Sequence, residues 1–421
     1  MSQSSDRILL TQMFDAAIEA ADPEKSLLPF LPPHPKGRTV VVGAGKGSAQ
    51  MASALEQIWG GQLEGVVVTR YGYRAPTKYI KVFEASHPVP DRAGLKATSA
   101  LFDAVAGLTE NDLVIALVCG GGSALLPAPP IGLDFEDEVA LNQLLLKSGA
   151  PISVMNAIRK QFSRVKGGRL AKAAFPAPVV TFVVSDVPGD DPAQVASGPT
   201  VPDTSDREKA LAFIKGHGID LPERLQKYLE TTLDDSPHPS DAEFMRNKVR
   251  VVASAGISLT AAAHVAHQAG VQSVILSDEI EGEARDIGMM HAAIARRTCL
   301  NNTPFKKPVV ILSGGETTVS IQDFAGRGGR NTEFLLALAG GVENLKLTAL
   351  AADTDGIDGS ESNAGAFADG RTWDRLRQLG HDPRTFLANH DAWSAFDALG
   401  DLFSPGPTGT NVNDFRAILI R

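Results

Sequence analysis

One lysine stands in a glycine turn at residues 43–48, GAGKGS, directly behind the apolar run TVVVG. Gly43, Gly45 and Gly47 leave the backbone uncrowded, Ser48 opens the helical stretch SAQMASALEQIW, and Lys46 supplies the charge. Free amides and the positive end of a helix dipole facing one spot suit an anion; a plain turn between strand and helix is the other reading. The turn fits neither named phosphate pattern. A Walker loop needs Gly where Val40 stands and Ser or Thr where Gly47 stands. A dinucleotide fingerprint needs its third glycine where Ser48 stands.

Further apolar runs end in residues of the same chemical character. CGGGSALL carries Gly120, Gly121, Gly122 and Ser123, and VVSDVPGDD carries Asp186 and Asp190; ILSGGETT and AADTDGIDG, with Asp355, follow later. Glycines permit close approach of backbone, hydroxyls and amides bind phosphate oxygens, and carboxylates hold Mg²⁺. Each tip by itself also reads as a glycine turn; the set of tips argues for a site.

Residues 151–175 hold six Lys or Arg and no acid. Val154, Ile158, Phe162 and Val165 recur at helical spacing and should pack on a sheet, which puts Arg159 and Lys166 on one flank of that face. The flank is either a solvated basic surface or a carboxylate or phosphate site. AGRGGRNTEF (325–334) sets Arg327 and Arg330 in a glycine-rich loop before a helix that Asn331 or Thr332 could cap. Such arginines either stabilise charge on a transferring phosphoryl group or solubilise a surface. His87, before Pro88 in EASHPVPD, reads as a structural histidine in a rigid turn. Asp353, Asp355, Asp358 and Glu361 do not make a calcium loop, because Ile357 occupies a required ligand position.

The elements that must position these groups are short Val- and Ile-rich runs separated by helical stretches. The runs near 40, 66, 115 and 182 form one series and those near 252, 275, 311, 350 and the end a second. Continuous rather than alternating apolar character suits strands buried on both faces, so each half reads as doubly wound α/β. The polar stretch 231–248 is the expected boundary, giving domains 1–240 and 241–421. PEKSLLPFLPPHPKG should wrap the surface before the first strand.

The chain has 421 residues and a net charge of −9. That balance argues against nucleic acid or an anionic membrane as partner. No apolar stretch approaches the roughly 20 residues of a membrane span. With only Cys119 and Cys299 and no basic-apolar leader, the cytoplasm is the expected location; a homodimer is left open.

In order, GAGKGS, ASHPVPD, CGGGSALL, NAIRKQFSRVKGGRLA, SDVPGDDPAQVASGPTVPD, SGGETTV, GRGGRNTEF, TDGIDG and GPTGTNVND resemble the glycerate 2-kinases of the MOFRL family, from about residue 8 to 420. The resemblance implies an ATP- and Mg²⁺-dependent enzyme that phosphorylates D-glycerate at its 2-hydroxyl. It implies a Rossmann-like amino-terminal domain, a smaller α/β carboxy-terminal domain and a site in the cleft between them, with Lys46 and Arg330 catalytic. On that basis Lys46, the GGGS amides and Ser123 take phosphate oxygens and Arg159, with Lys166, takes the glycerate carboxylate. Asp186 and Asp190 accept the hydroxyl proton or hold Mg²⁺, and Asp355 is the metal candidate of the second domain. An NADPH-dependent hydroxypyruvate reductase is the alternative, with Arg70 after the second strand as its cofactor contact.

Overall fold

The computed structural model describes residues 3–232, 236–321 and 326–421. The chain forms two compact units, residues 23–252 and residues 1–22 with 253–421.

The first unit is built on β1 (Thr39–Ala44), β2 (Glu64–Arg70), β3 (Ile80–Ala85), β4 (Leu113–Cys119), β5 (Val179–Val184) and β6 (Lys248–Ala253), in the order β3-β2-β1-β4-β5-β6. From β3 to β5 every pairing is parallel, with Val42 opposite Val66 and Ala116. All six residues of β1 are buried, because helices cover both faces. Val40 and Val42 pack with Leu101 and Leu170 on one side; Val41 packs with Met51, Leu55 and Trp59 on the other. This is the two-sided burial that the unbroken valine runs imply.

The basic stretch 151–175 is not one helix. It runs as helix from Ile152 to Gln161, turns, and resumes from Arg169 to Ala174. Gly167 and Gly168, at φ 63° and 83°, shape the turn. Val154, Ile158 and Phe162 pack not on the sheet but with Leu141, Leu225 and Leu229 of neighbouring helices; Val165 alone joins the sheet core.

The second unit holds β7 (Gln272–Ile275), β9 (Val309–Ser313), β11 (Leu347–Asp353), β12 (Gly365–Asp369), β13 (Leu402–Phe403) and β14 (Asp414–Ile420), in the order β13-β12-β11-β14-β9-β7. A small ladder pairs β8 (Gly282–Glu283) with β10 (Thr317–Thr318). Only β7 and β9 pair parallel within the larger sheet, so this half is a mixed sheet and not a second doubly wound one. β11 and β14 are buried at every residue. Their continuous apolar runs report burial on two faces, which does not fix strand direction.

Two segments lie elsewhere than the expected split after residue 240. The helix Gln3–Ala20 belongs to the second unit, where Leu10, Met13 and Phe14 pack with Leu259, Ala262 and Phe415. β6, counted by sequence in the second series, extends the first sheet; Asn247 accepts the Val179 N–H at 2.8 Å and Phe244 packs in the first core. Within the expected linker, residues 233–235 lie outside the described residues.

Candidate active site

β1 and β4 are neighbours from which the sheet grows in opposite directions, through β2 and β3 on one side and β5 and β6 on the other. The loops after them therefore emerge together where the strand order reverses, the place at which open α/β sheets bind ligands. These loops are tied to each other. The Lys46 N–H donates to the Gly120 carbonyl at 2.9 Å, and the Gly47 N–H donates to Cys119 Sγ at 3.1 Å. Burial pushes the Cys119 thiol up to about 12, so it remains neutral beneath the turn.

Several residues expected to touch a cofactor brace the turn instead. A Cβ on Gly43 would lie 2.4 Å from the Leu117 carbonyl oxygen, and one on Gly45 2.2 Å from that of Cys119. Ser48 is fully buried, with its hydroxyl 2.8 Å from the Val68 carbonyl and 3.0 Å from that of Gly45. Lys46 and Gly47 are the half-buried residues of this turn.

Three side chains converge on Gly120 and Gly121. A Cβ on Gly120 would lie 1.8 Å from Asp186 Oδ2; one on Gly121 would lie 3.1 Å from both His87 Nε2 and Lys46 Cε. A side chain at either position would displace these groups, and Gly121 is in addition left-handed at φ 77°. Among the described residues the Lys46 ammonium makes no hydrogen bond or ion pair. His87 is pushed down to about 4 by burial and by the charges of Lys46 and Arg70, so its imidazole is neutral at physiological pH.

The loop after β5 carries Asp186 and Asp190 and returns beneath Ser123. Asp190, Ala196 and Ser197 hold φ values of 52°, 52° and 59°, a conformation that costs a non-glycine residue ~1–3 kcal/mol. Ser197 Oγ lies 2.8 Å from Ser123 Oγ and donates to Asn156 Oδ1 at 2.9 Å, so Ser123 is the donor of the first bond. Arg159 Nη1 donates to the same Asn156 oxygen at 3.2 Å. Beyond that bond Arg159 is poorly served. Its Nε is buried without a partner, no described carboxylate pairs with it, and burial pushes the guanidinium down to about 10. The more distant Glu138 charge offsets this only in part; a cation drawn from water without a direct ion pair is costly, and an incoming anion would relieve that cost.

Lys166 is different. Buried beyond the end of the Ile152–Gln161 helix, it donates to Glu138 at 2.9 Å and to the Leu126 carbonyl at 2.8 Å. The expectation that Lys166 and Arg159 share one anion site is corrected: Lys166 is internally paired. Lys160 is likewise buried against Asp203.

In the second unit Arg330 opens the helix Arg330–Gly341 and is held by acids at strand ends. Nε donates to Asp414 at 2.7 Å, Nη1 to Glu316 at 2.8 Å and Nη2 to Asp353 at 2.6 Å. Asp353 and Asp414 stand opposite each other in the β11–β14 register. Three of the five guanidinium N–H groups are thereby engaged and two remain. Burial and the charges of Asp414 and Asp355 push Asp353 up to about 8, against the pull of Arg330. The helix is capped by distant Asp358, which accepts the Asn331 and Thr332 N–H groups at 2.9 Å each. Arg327 is bound elsewhere, to Glu361 at 2.6 Å and over the Trp393 ring; Ala325 lies outside the described residues.

Comparison with known proteins adds a second line of observation. Residues 9–230 match a family model described as a domain of unknown function, DUF4147, and residues 309–414 match the MOFRL family. A protein of Agrobacterium vitis, provisionally named a hydroxypyruvate reductase, is 50% identical over 99% of this chain and 95% of its own. A glycerate 2-kinase of Pyrococcus horikoshii is 37% identical over 96% of this chain and 95% of its own. The crystal structure of a Thermotoga maritima glycerate kinase superposes with a TM-score of 0.90 at 36% identity, covering 100% of both chains. The chain belongs to the MOFRL family of glycerate 2-kinases.

Within this family member, the first unit brings Lys46, Gly120, Gly121, Gly122, Ser123 and Asp186 together and links Arg159 to them through Asn156 and Ser197. Asp190 and Asp355 belong to separate units, and among the described residues no group of three or more His, Cys, Asp or Glu is arranged to hold a metal. Mg²⁺ in phosphoryl transfer commonly takes one or two carboxylates and completes its shell with water and phosphate oxygens, so single acids at the strand tips fit it and a closed cage is not required. Sequence reading took His87 as structural, where the fold sets it against Gly121, and did not mark Asn156 and Ser197, which join Arg159 to Ser123. Position behind a strand could have marked His87; no local signal marks the other two. Among the described residues no helix is long and apolar enough to cross a membrane.

Proposed function

We propose that this chain phosphorylates D-glycerate at its 2-hydroxyl, with ATP as donor and Mg²⁺ as cofactor. The observation that carries the proposal is a pair of cations, Lys46 and Arg159, that make no ion pair with any described carboxylate and are joined to the same glycine loops at the switch point of the first sheet. Glycerate kinases among full-length relatives support the substrate.

In this reading Lys46 and the amides of Gly120–Gly122 hold donor phosphate oxygens, and the Ser123 hydroxyl joins them by turning its proton away from Ser197. Arg159 forms a forked pair with the glycerate carboxylate. The 2-hydroxyl oxygen bonds to the terminal phosphorus as the bond to the ADP oxygen breaks, its electron pair leaving on ADP, and the proton passes to Asp186. Bound Mg²⁺ would neutralise phosphate charge, with Asp190 and Asp355 as its candidate protein ligands. Arg330, immobilised by its acids, offers its two remaining N–H groups to phosphoryl oxygens. Transfer of this kind is carried largely by positioning and charge stabilisation.

A paired assay separates this reading from the name of the Agrobacterium vitis relative. ATP, Mg²⁺ and D-glycerate should give ADP and a phosphorus resonance of 2-phosphoglycerate, while NADPH absorbance with hydroxypyruvate stays constant. A 3-phosphoglycerate signal, or NADPH consumption without ADP, overturns the proposal.

A further inference from the structure

Two hydrogen-bond acceptors of opposite character flank adjacent glycines of the same loop. Asp186 abuts Gly120, and His87 Nε2 abuts Gly121 beside the Lys46 side chain. The Ser86–Asp91 turn brings His87 there from the end of β3, and Asp91 fixes the turn by capping the next helix at 3.0 Å to the Gly94 N–H. The His87 ring is half-buried and makes no hydrogen bond with any described residue. A half-buried imidazole without a partner, placed beside Lys46 and against the loop assigned to the donor phosphates, stands next to the reacting groups with an acceptor to offer the substrate.

Glycerate carries two hydroxyls, and the geometry must tell them apart. The reacting hydroxyl needs an acceptor able to take its proton; Asp186 is such a group. His87 is not, because burial and then the charges of Lys46 and Arg70 oppose a positive charge on the ring. A neutral imidazole with its proton on Nδ1 instead accepts at Nε2 from a hydroxyl that keeps its proton. We propose that His87 is the specificity residue that binds the 3-hydroxyl of glycerate, the hydroxyl that is not phosphorylated. This rests on the assignment of glycerate phosphorylation above. A site built to hydrogen-bond a hydroxyl disfavours the analogue lacking it, because its half-buried acceptor loses that partner.

The test compares D-glycerate with D-lactate, which keeps the carboxylate and 2-hydroxyl but has hydrogen in place of the 3-hydroxyl. The native enzyme should favour glycerate by ~10²-fold or more in kcat/KM. His87→Ala should lower kcat/KM for glycerate by about 10–100-fold and leave that for lactate nearly unchanged, so that the preference collapses. His87→Gln, whose amide oxygen can stand near Nε2, should recover part of the preference and keeps the test open if the alanine variant unfolds. Equal losses on both substrates, or a native enzyme indifferent to the 3-hydroxyl, overturn the assignment of His87 while leaving the kinase intact. No turnover of glycerate by the native enzyme refutes the underlying activity instead.

Discussion

The backbone N–H of Lys46 donates to the carbonyl of Gly120 at 2.9 Å, so the turn after β1 is held by its main chain while its charged side chain is left without a partner. Fixing the loop through backbone frees the ammonium for an anion. Lys46→Ala should therefore change stability by no more than ~0.5 kcal/mol, the range of substitutions that break no buried contact. Turnover should fall by ~10²-fold or more, since a cation aimed at developing charge is removed. Thermal melting and steady-state kinetics on the same preparation check both. A large drop in melting temperature would move Lys46 from chemistry to structure.

Arg159, half-buried, and Lys166, buried, are both basic and are predicted to respond in opposite ways. Arg159 has no carboxylate partner, so replacing it with Met should leave melting unchanged or raise it, by up to ~1 kcal/mol. The Michaelis constant for glycerate should rise about 10–100-fold, with that for ATP hardly altered. Arg159→Lys should recover little, because an ammonium cannot reproduce the fork. An unchanged glycerate constant would remove this residue from the substrate site.

Lys166→Met breaks the pair with Glu138 and leaves that carboxylate buried without its ion-pair partner, holding only the Ala128 N–H among its direct bonds to described residues. Removing one partner of a buried pair typically costs ~3–5 kcal/mol. Urea unfolding should show a loss of that size, and the double variant with Glu138→Gln should recover much of it. Were Lys166→Met instead to raise the glycerate Michaelis constant at unaltered stability, the residue would return to the binding site.

The sheet of the first unit and most of its loop residues were legible because unbroken valine runs report strands buried on both faces, and their glycine-rich ends follow directly. The second sheet was not, since that same signal says nothing about direction; β12 and β14 both run antiparallel to β11 between them. Cation spacing singled out Arg159 and Lys166 together and could not distinguish them. That difference lies in Glu138, which the fold places 2.9 Å from Lys166 across 28 residues of sequence. His87 escaped for a related reason: its role depends on Gly121 lacking a side chain, a contact between residues far apart in the chain.

The acid cluster around Arg330 makes stability depend on pH with a definite sign. Asp353 is raised to about 8 and Asp358 to about 6, both chiefly by burial. Each binds its proton more tightly folded than unfolded, so protonation favours the native state. The stabilisation is complete below the ordinary carboxylate range and is lost as pH rises, through about 6 for Asp358 and on to about 8 for Asp353. Melting temperature should thus decline from pH 5 to 8.5, the upper part of the fall belonging to Asp353. Asp353→Asn keeps the side-chain shape and removes the titration, so its melting curve should flatten above pH 6. It also weakens one hold on Arg330, which should lower turnover without raising the Michaelis constant for glycerate. An unchanged pH slope in Asp353→Asn would place the titrating group elsewhere, and unchanged turnover would show that Asp414 and Glu316 suffice to orient the guanidinium.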